Sequence, residues 1–260
     1  MIYLIRVLVL IFFAASYTFA EGARDEAESY AYKVINAYPH DKNAFTQGLS
    51  YDDGFFYEST GLSGASSLRR IEPSTGNILR QRKIEGEFFA EGMTIHQNRI
   101  IQLTWKSRKG FIYDKDSFEL IGVFNYPFEG WGITHDGKYF ILSDGSATLR
   151  FLNLNTFEEA YKLEVRDESG SAIFGLNELE YIEGKIYANI WKTDKVAVIS
   201  PDSGRVCAWL DLSGLRQFNK GQIKIDVLNG IAYNNKTRHL YVTGKLWPNI
   251  FEIKLIGKNE

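Results

Sequence analysis

The stretch that decides the fold reads Tyr38-Pro39-His40-Asp41-Lys42-Asn43-Ala44-Phe45-Thr46-Gln47-Gly48-Leu49, and its last part returns in altered form along the chain. The pattern is a polar or aromatic residue, a Gly, an apolar alternation, a turn with Gly or Asn, and an aromatic-rich strand, and it returns with alterations. The copies start at these residues: Gln47, Ala90, Gly130, Leu176 and Leu228. Successive copies begin roughly 40 to 50 residues apart, which is the period of the blades of a β-propeller.

The rest of each repeat also predicts β strands. Alternating apolar residues are bounded by turns such as Asp136-Gly137 and Asn234-Asn235, which indicate hairpins. The fifth repeat shows only 249–255 before the chain ends and therefore lacks a fourth strand. We expect segment 30–38 to supply that strand, because closing the ring removes an open sheet edge. The sequence thus predicts an all-β fold, a five-bladed β-propeller closed by an N-terminal strand, with a short helical turn within 212–225.

Length and composition favour one repeat-built domain and exclude some partners. The chain has 260 residues, 45% hydrophobic and 24% charged, with a formal net charge of -2 and no long block of Lys and Arg. Nucleic acid and anionic membrane surfaces are therefore poor candidates as partners. We assign residues 30–257 to the propeller, 21–29 to a solvated leader and 258–260 to a tail, and expect a monomer.

The N-terminus resembles an export signal. Arg6 precedes an apolar run, Val7 to Ala15, and small residues at Thr18 and Ala20 precede a polar segment. This pattern predicts a signal peptide over 1–20, an exported protein in the periplasm or secreted, and no stable membrane insertion after cleavage. An uncleaved anchor remains the alternative, because the positive region holds a single Arg. Cys207 is the only cysteine, so no intrachain disulfide can form.

Equivalent positions of the inner strands converge at one mouth of a propeller's channel. The repeats place there Gln47, Glu91, Trp131, Asn177 and Asn229, and the ends of the second strands add Trp105, Trp191 and Lys245. A small polar set within an aromatic wall is the usual composition of a small-ligand pocket. Each residue also has a structural interpretation. The Trp rings could fill the core, the amides could bind backbone, Glu91 could pair with Lys106, and Lys245 could extend along the rim.

Other motifs add little. His40, His96, His135 and His239 show no metal-ligand spacing, and the last three sit at turns, so we expect solvent-facing histidines. No nucleophile elbow, phosphate-binding loop or H-E-x-x-H motif occurs. Spacing alone therefore predicts a ligand-binding propeller with one candidate acid-base group, and it names no substrate.

Several segments together resemble the plant and bacterial type of glutaminyl-peptide cyclotransferase. They agree in order and approximate spacing over about 38–255: Pro39-His40-Asp41, Ala44-Phe45-Thr46-Gln47-Gly48-Leu49, Glu91-Gly92-Met93-Thr94, Gln102-Leu103-Thr104-Trp105-Lys106, Gly130-Trp131-Gly132, Leu176-Asn177-Glu178-Leu179-Glu180, Asn189-Ile190-Trp191, Leu228-Asn229-Gly230-Ile231-Ala232 and Thr243-Gly244-Lys245-Leu246-Trp247-Pro248. The resemblance implies a five-bladed propeller that converts N-terminal glutamine of peptides or proteins to pyroglutamate and releases ammonia.

The same resemblance implies roles for individual residues. The family's acid matches Glu91, and its asparagine and lysine match Asn177 and Lys245. The substrate-binding positions match Phe45, Gln47, Trp105, Trp131 and Trp191. No metal or other cofactor is implied for catalysis, although a structural calcium ion has precedent. One departure is Ala90, where a Gly is expected, and its methyl group could narrow the pocket or shift the backbone of Glu91.

These residue types suit the reaction. The substrate's α-amino group titrates at about 8, so its nucleophilic form is available near neutral pH. The attack on the side-chain carboxamide is intramolecular, so the enzyme must hold the reactive rotamer and move a proton. We expect Glu91 to carry the amine proton to the leaving nitrogen, Asn177 to hold the substrate, and Lys245 to polarise the carbonyl oxygen.

Two other functions stay open on the residues alone. A metal-dependent lactonase-type hydrolase would use Glu91, Asn177, Asp144 and Asn229 as ligands, but these offer few carboxylates for calcium. A non-catalytic propeller would use Glu91 and Lys245 to recognise a peptide terminus. Sensitivity to a chelator distinguishes the first function, and peptide binding without ammonia release distinguishes the second.

Overall fold

The computed structural model describes residues 27–219 and 224–256, so the predicted signal peptide and C-terminal tail lie outside the described residues. Almost every element is a β strand, as the apolar alternation predicts. The strands are β1 (Glu28–Pro39), β2 (Thr46–Asp52), β3 (Phe55–Thr60), β4 (Ser67–Ile71), β5 (Ile78–Lys83), β6 (Ala90–His96), β7 (Arg99–Thr104), β8 (Lys109–Asp114), β9 (Leu120–Asn125), β10 (Ile133–His135), β11 (Tyr139–Leu142), β12 (Thr148–Asn153), β13 (Glu159–Glu164), β14 (Leu176–Ile182), β15 (Lys185–Ile190), β16 (Lys195–Ile199), β17 (Val206–Asp211), β18 (Leu228–Asn234), β19 (His239–Gly244) and β20 (Asn249–Ile256).

The sheets follow the sequence repeats. Three four-stranded sheets have the orders β2-β3-β4-β5, β6-β7-β8-β9 and β10-β11-β12-β13, and an eight-stranded sheet has the order β14-β15-β16-β17-β1-β20-β19-β18. The first strands of successive repeats contact one another in a cycle, from β2 through β6, β10, β14 and β18 back to β2. The prediction of an all-β fold is confirmed, and the arrangement is that of a propeller.

Strand β1 begins two residues before the predicted segment and lies in the interior of the eight-stranded sheet. It pairs antiparallel with β20, from Ala31 opposite Ile256 to Pro39 opposite Asn249. Its first three residues also pair in parallel with β17, beginning with Glu28 opposite Ala208. The N-terminal strand therefore pairs with β20, the last strand of the described chain.

The recurring Gly of the repeats has a steric cause. A Cβ atom on Gly92 would lie 2.7 Å from the Cα of Gly132, and one on Gly132 would collide with the carbonyl oxygen of Asn177. Neighbouring inner strands thus approach each other backbone to backbone around the channel, where only Gly leaves enough room. This close approach brings the residue next to each Gly to the same end of the channel.

Apolar clusters fill the space between adjacent sheets. One holds Tyr57 and Leu68 of the first sheet together with Met93 and Phe111 of the second. Another joins the two ends of the chain, since Leu49 and Phe56 pack with Tyr241 and others of the last strands. A short 3₁₀ helix, η1 (Ser213–Asn219), confirms the predicted helical turn. Among residues 27–219 and 224–256, no helix is long and apolar enough to cross a membrane.

The histidines differ from the prediction. His40 is buried, with Nε2 at 2.8 Å from Glu58 Oε1 and Nδ1 at 2.7 Å from the carbonyl oxygen of Trp247. Both acceptors need a proton from the ring, so the geometry fits an imidazolium paired with a carboxylate. His96, His135 and His239 are half-buried, and His239 pairs with Glu252 at 2.7 Å. The prediction of solvent-facing histidines is therefore wrong for His40, because a buried carboxylate distant in sequence compensates its charge.

Candidate active site

A pocket of about 330 Å³ opens at the end of the channel where the inner strands begin. All eight residues predicted for the site line it, and four further residues complete the wall. The predicted residues are Phe45, Gln47, Glu91, Trp105, Trp131, Asn177, Trp191 and Lys245, and the additional ones are Phe89, Lys192, Asp226 and Val227. The repeats thus bring together side chains up to 200 residues apart in sequence, from Phe45 to Lys245.

Glu91 is held rigidly at the start of β6. Its carbonyl oxygen accepts a hydrogen bond from Ser59 Oγ, and Gln102 Nε2 in turn donates to that hydroxyl at 2.8 Å. The next amide, Gly92 N, donates to the carbonyl oxygen of Trp131 at 2.8 Å. The backbone is therefore fixed from both neighbouring strands, and the residue is only 6% exposed.

Burial decides the protonation of Glu91. Desolvation raises the pKa of its carboxyl well above the usual range, Lys245 opposes this, and the charge of Glu129 adds to it. The proton affinity of this carboxyl is thus brought closer to that of an α-amino group, which titrates at about 8. A carboxyl with a raised pKa is a better proton acceptor than an ordinary carboxylate, and its protonated form can return the proton to a leaving nitrogen.

Lys245 enters the pocket from the loop after β19. Its amide donates to the carbonyl oxygen of Val227 at 2.9 Å, and the next amide, of Leu246, donates to that of Ala44 at 2.7 Å. The residue is 6% exposed, and its Nζ lies 4.8 Å from the ring centroid of Phe45. Burial lowers the pKa of the Lys245 ammonium, while the charges of Glu91 and Asp226 partly restore it. Lys245 is therefore an interior group of the pocket and does not extend along the rim.

Glu91 and Lys245 influence each other without forming a direct ion pair. No salt bridge within 4.0 Å joins them in the described part of the chain, although each shifts the pKa of the other. The two groups therefore face a shared space that a small polar substrate group can occupy. Glu91 does not pair with Lys106 either, because Nζ of Lys106 lies 4.3 Å from the ring centroid of Trp105.

Aromatic rings form the walls of the pocket. Trp131 and Trp191 meet edge to face with ring centroids 5.3 Å apart, and Phe89 meets Trp105 in the same way at 5.7 Å. The indole N–H groups of Trp105 and Trp131 both donate to Glu129 Oε2, at 2.6 and 3.3 Å. Such walls accept the methylene groups of a side chain and exclude water from polar groups at the bottom.

The amides of the pocket have different surroundings. Asn177 is 3% exposed, and its Oδ1 has no hydrogen-bond partner among the described residues. An unpaired buried acceptor costs about 1–3 kcal/mol, which a ligand N–H can recover. Gln47 Oε1 instead accepts from Asn229 Nδ2 at 3.3 Å. Asn229 also donates to the carbonyl oxygen of Thr46 at 3.0 Å, so it lies behind Gln47 and does not line the pocket.

Comparison with known proteins identifies the family. The family model described as glutamine cyclotransferase matches residues 6–255. The chain belongs to the glutamine cyclotransferase family. It is similar to the glutaminyl-peptide cyclotransferase of Arabidopsis thaliana, with 40% identity over 227 residues, which is 86% of this chain and 71% of the relative.

Solved structures agree with this family. The crystal structure of Myxococcus xanthus glutaminyl cyclase is similar with a TM-score of 0.83 and 34% identity, over 88% of this chain and 98% of that one. The β-propeller domain of Cps50 (Swd1) from Myceliophteria thermophila matches with a TM-score of 0.50 and 7% identity, over 86% and 99% of the two chains. The second likeness concerns the fold alone and shows a propeller.

The resemblance of this chain to the cyclotransferases implied a Gly at the position of Ala90, and the structure shows where the methyl group of Ala90 lies. Its methyl group is fully buried in the apolar cluster with Phe88 and Met93, and Ala90 is not among the pocket residues. The expectation that it narrows the pocket is therefore wrong. The amide of Ala90 accordingly keeps its hydrogen bond to Ser66 Oγ, at 3.0 Å, one residue before Glu91.

The donors of the cyclotransferase pocket do not suit the lactonase-type alternative. Asp144, one of its proposed ligands, is bound to Arg150 Nε at 3.1 Å and to the hydroxyl of Ser146 at 2.5 Å. Asn229, another of the proposed ligands, is not among the residues that line the pocket. Over 27–219 and 224–256, no group of three or more His, Cys, Asp or Glu side chains could hold a metal ion.

Sequence reasoning missed Phe89, Lys192, Asp226 and Val227. Phe89 lies two residues before Glu91 and Lys192 directly follows Trp191, so their positions in the repeats offered a signal. Asp226 and Val227 come immediately before β18 and carry no repeat signal. They reach the pocket because the backbone of Lys245 binds both, as donor to Val227 and as acceptor from the amide of Asp226 at 2.9 Å.

Proposed function

We propose that this protein cyclises the N-terminal glutamine of peptides or proteins to pyroglutamate and releases ammonia. The observation that carries the proposal is that one aromatic pocket holds both a buried Glu91, whose pKa is raised, and a buried Lys245, whose pKa is lowered. Membership of the glutamine cyclotransferase family supports the same reaction. The pocket opens at the end of the channel, which suits a chain terminus whose remaining residues stay outside.

The bond changes define what each group must do. The α-nitrogen forms a bond to the side-chain carboxamide carbon, the bond from that carbon to the amide nitrogen breaks, and one proton moves from the α-nitrogen to the departing ammonia. Since nucleophile and electrophile belong to the same residue, the enzyme selects a cyclic rotamer and does not bring two molecules together. The ring faces of Trp105, Trp131 and Trp191 enclose the substrate methylene groups in this rotamer.

Glu91 is the proton carrier in this proposal. Its ionised form takes a proton from the α-amine, and its protonated form returns that proton to the leaving nitrogen. Burial raises the pKa of Glu91. Proton transfer from the α-amino group, which titrates at about 8, is therefore less unfavourable to Glu91 than to an ordinary carboxylate. Positioned proton transfer of this kind contributes on the order of 10² to 10⁴ in rate.

Lys245 and Asn177 complete the constellation. The ammonium of Lys245 faces the developing negative charge on the carboxamide oxygen, in a pocket where few water molecules screen it. The unpaired Oδ1 of Asn177 accepts an N–H of the substrate, either from the carboxamide or from the first peptide group. Neither group forms a covalent bond with the substrate. Both act by orienting it and by electrostatic stabilisation.

The proposal extends to the blade architecture, the cellular location and the oligomeric state. We infer five blades, β2–β5, β6–β9, β10–β13, β14–β17, and β18–β20 with β1, supported by the cycle of contacts among the first strands. The short parallel pairing of Glu28 to Tyr30 with β17 then explains why two blades share a sheet. We also propose export to the periplasm or beyond, on the apolar run 7–15, and a monomeric state, because ring closure leaves no inner edge to pair.

The test is ammonia release from a short peptide with N-terminal glutamine, with loss of ammonia from the peptide followed by mass spectrometry. The same peptide with an acetylated α-amine is the control, because it keeps the carboxamide but lacks the nucleophile. Release from the free peptide alone supports the proposal. Tight binding of the free peptide without any release would leave a peptide-binding propeller in its place.

A further inference from the structure

A single carboxylate behind the pocket wall holds two of the indole rings. Glu129 Oε2 accepts the N–H of Trp105 at 2.6 Å and that of Trp131 at 3.3 Å. The two rings come from different sheets, since Trp105 follows β7 and Trp131 precedes β10. Glu129 is half-buried and does not line the pocket itself. It therefore contacts the site only through these two rings.

The hydrogen bonds are of the stronger kind. A bond from N–H to a carboxylate is shorter and roughly twice as strong as one between neutral groups. An indole has one N–H, so a single such bond determines where the polar edge of each ring points. The backbone supports this arrangement, because Trp105 N donates to the carbonyl oxygen of Phe89 at 3.0 Å and Gly130 N donates to that of Trp105 at 3.4 Å.

We propose that Glu129 is a positioning residue for glutamine cyclisation, whose carboxylate fixes the rings of Trp105 and Trp131 in the orientation that encloses the substrate side chain. This inference rests on the proposed function, since it concerns the efficiency of that reaction. The two hydrogen bonds exist without substrate, so the positions of the rings can also be tested in the substrate-free enzyme. The third tryptophan, Trp191, is 41% exposed and has no such anchor among the described contacts, so it serves as the internal comparison.

Glu129 has a second effect, on the charge of Glu91. The groups that act on the Glu91 carboxyl come from two loops: Lys245 from the loop after β19, and Tyr126 and Glu129 from the loop between β9 and β10. The phenol of Tyr126 donates to the carbonyl oxygen of Thr104 at 2.5 Å, and burial raises its pKa, so it stays neutral. Removing the charge of Glu129 therefore takes away one repulsion and lets Glu91 ionise at lower pH.

Two substitutions separate the two effects. Glu129→Gln keeps an oxygen that accepts an indole N–H but removes the charge, whereas Glu129→Ala removes both. Glu119→Gln is the matched control, because Glu119 is exposed on a turn of the neighbouring loop and its side chain has no contact with the pocket. Each purified protein is assayed for kcat and KM with a peptide carrying N-terminal glutamine, across pH, beside quenching of tryptophan fluorescence by acrylamide.

The expected results differ between the variants. Glu129→Ala should lower kcat/KM on the order of 10²-fold, the cost of a misplaced catalytic wall, and make its fluorescence easier to quench without substrate. Glu129→Gln should recover most of kcat/KM, while the acid limb of its pH profile moves to lower pH. Glu119→Gln should match the wild type in every measurement.

The outcomes that overturn the inference are equally distinct. If Glu129→Ala keeps wild-type kcat/KM, pH profile and quenching, Glu129 has no positioning role. If Glu129→Ala fails to fold, Glu129→Met takes its place, because it fills similar space without an acceptor for the indole N–H groups, and wild-type kcat/KM and quenching in that variant reject the inference. A wild-type enzyme that releases no ammonia would defeat the proposed function instead, and the quenching comparison would still test whether Glu129 holds the two rings.

Discussion

Replacement of Glu91 by Gln tests the proposed chemistry most directly. The two side chains have the same shape, and the position is 6% exposed, so the substitution leaves the pocket filled. Gln cannot accept and return a proton. If Glu91 carries the proton, kcat should fall at least about 100-fold, which corresponds to about 2.7 kcal/mol of lost transition-state stabilisation.

The structure also determines what should not change. KM should stay within about threefold, because the aromatic rings and Asn177, to which the proposal assigns substrate binding, remain in place. The pH dependence of the free energy of unfolding provides an independent test. The folded-state pKa of Glu91 lies above its usual value of 4.5, so the folded protein binds the proton more tightly than the unfolded chain does. Wild-type stability therefore decreases as pH rises from that value through the folded pKa, and the Glu91→Gln substitution removes this loss.

The assay measures ammonia release from one peptide with N-terminal glutamine. The free energy of unfolding in urea is measured at pH 6 and pH 9 on the same preparations. Glu180→Gln is the control, because Glu180 is another carboxyl with a raised pKa, about 8, that lines a separate cavity with Thr134 and His135. It should gain stability at alkaline pH and keep full turnover. Near-normal turnover of Glu91→Gln, with the folded state intact, would refute the role of Glu91 as proton carrier.

Three further predictions follow from the same geometry. Lys245→Met, which keeps the length of the side chain but not its charge, should lower kcat on the order of 10²-fold with little change in circular dichroism, and an unchanged kcat would remove Lys245 from oxyanion stabilisation. His40→Gln leaves Glu58 charged and buried, so the free energy of unfolding should fall by about 3 kcal/mol in urea at pH 6. Burial lowers the pKa of His40 and Glu58 raises it, with a net rise above 6.5. The ion pair therefore stabilises the fold fully below that pH, and this stabilisation disappears as pH rises through the folded pKa. A loss of unfolding free energy in His40→Gln that is equal at pH 6 and pH 9 would contradict this ion pair. Incubation with a chelator followed by desalting should leave ammonia release unchanged, whereas loss of activity restored by calcium would reveal a metal requirement.

The raised pKa of Glu91 also has a consequence for the pH profile of the unmodified enzyme. Glu91 must be ionised to accept the amine proton, so the acid limb of kcat/KM should lie above the ordinary range of a carboxyl group. On the alkaline side, burial lowers the pKa of Lys245, and its charge is lost earlier than that of an exposed lysine. The pH range of activity should therefore be narrower at both ends than it would be with an exposed carboxyl and an exposed lysine.

Much of this architecture could be predicted from the chain, because repeats are local. Each β strand alternates with a period of 2, so residues at equivalent places in successive repeats must point in the same direction. From repeat spacing alone, that rule predicts Glu91, Trp131 and Asn177 at one mouth of the channel. It holds for these residues because Gly92 and Gly132 let the inner strands approach closely at that end.

The rule fails where a side chain's partner lies outside the repeat. Asn229 occupies an equivalent position, yet it turns behind Gln47 because Thr46 and Gln47 offer it acceptors. Glu129 lies in the loop between two sheets, where no periodicity marks it, although it binds two tryptophans. Loops follow the packing of the elements they connect, so their side-chain contacts cannot be read from a pattern.

The sequence by itself determined the strand content, the repeated unit and the set of polar and aromatic residues that share one end of the channel, since all of these depend on short-range periodicity. Only the tertiary structure decided how those groups act on one another. The proton affinity of Glu91 depends on burial by rings from several sheets, and the charge of His40 depends on Glu58 and on Trp247, 207 residues away. Desolvation and Coulomb forces depend on distance in space, and folding brings together groups that are far apart in sequence.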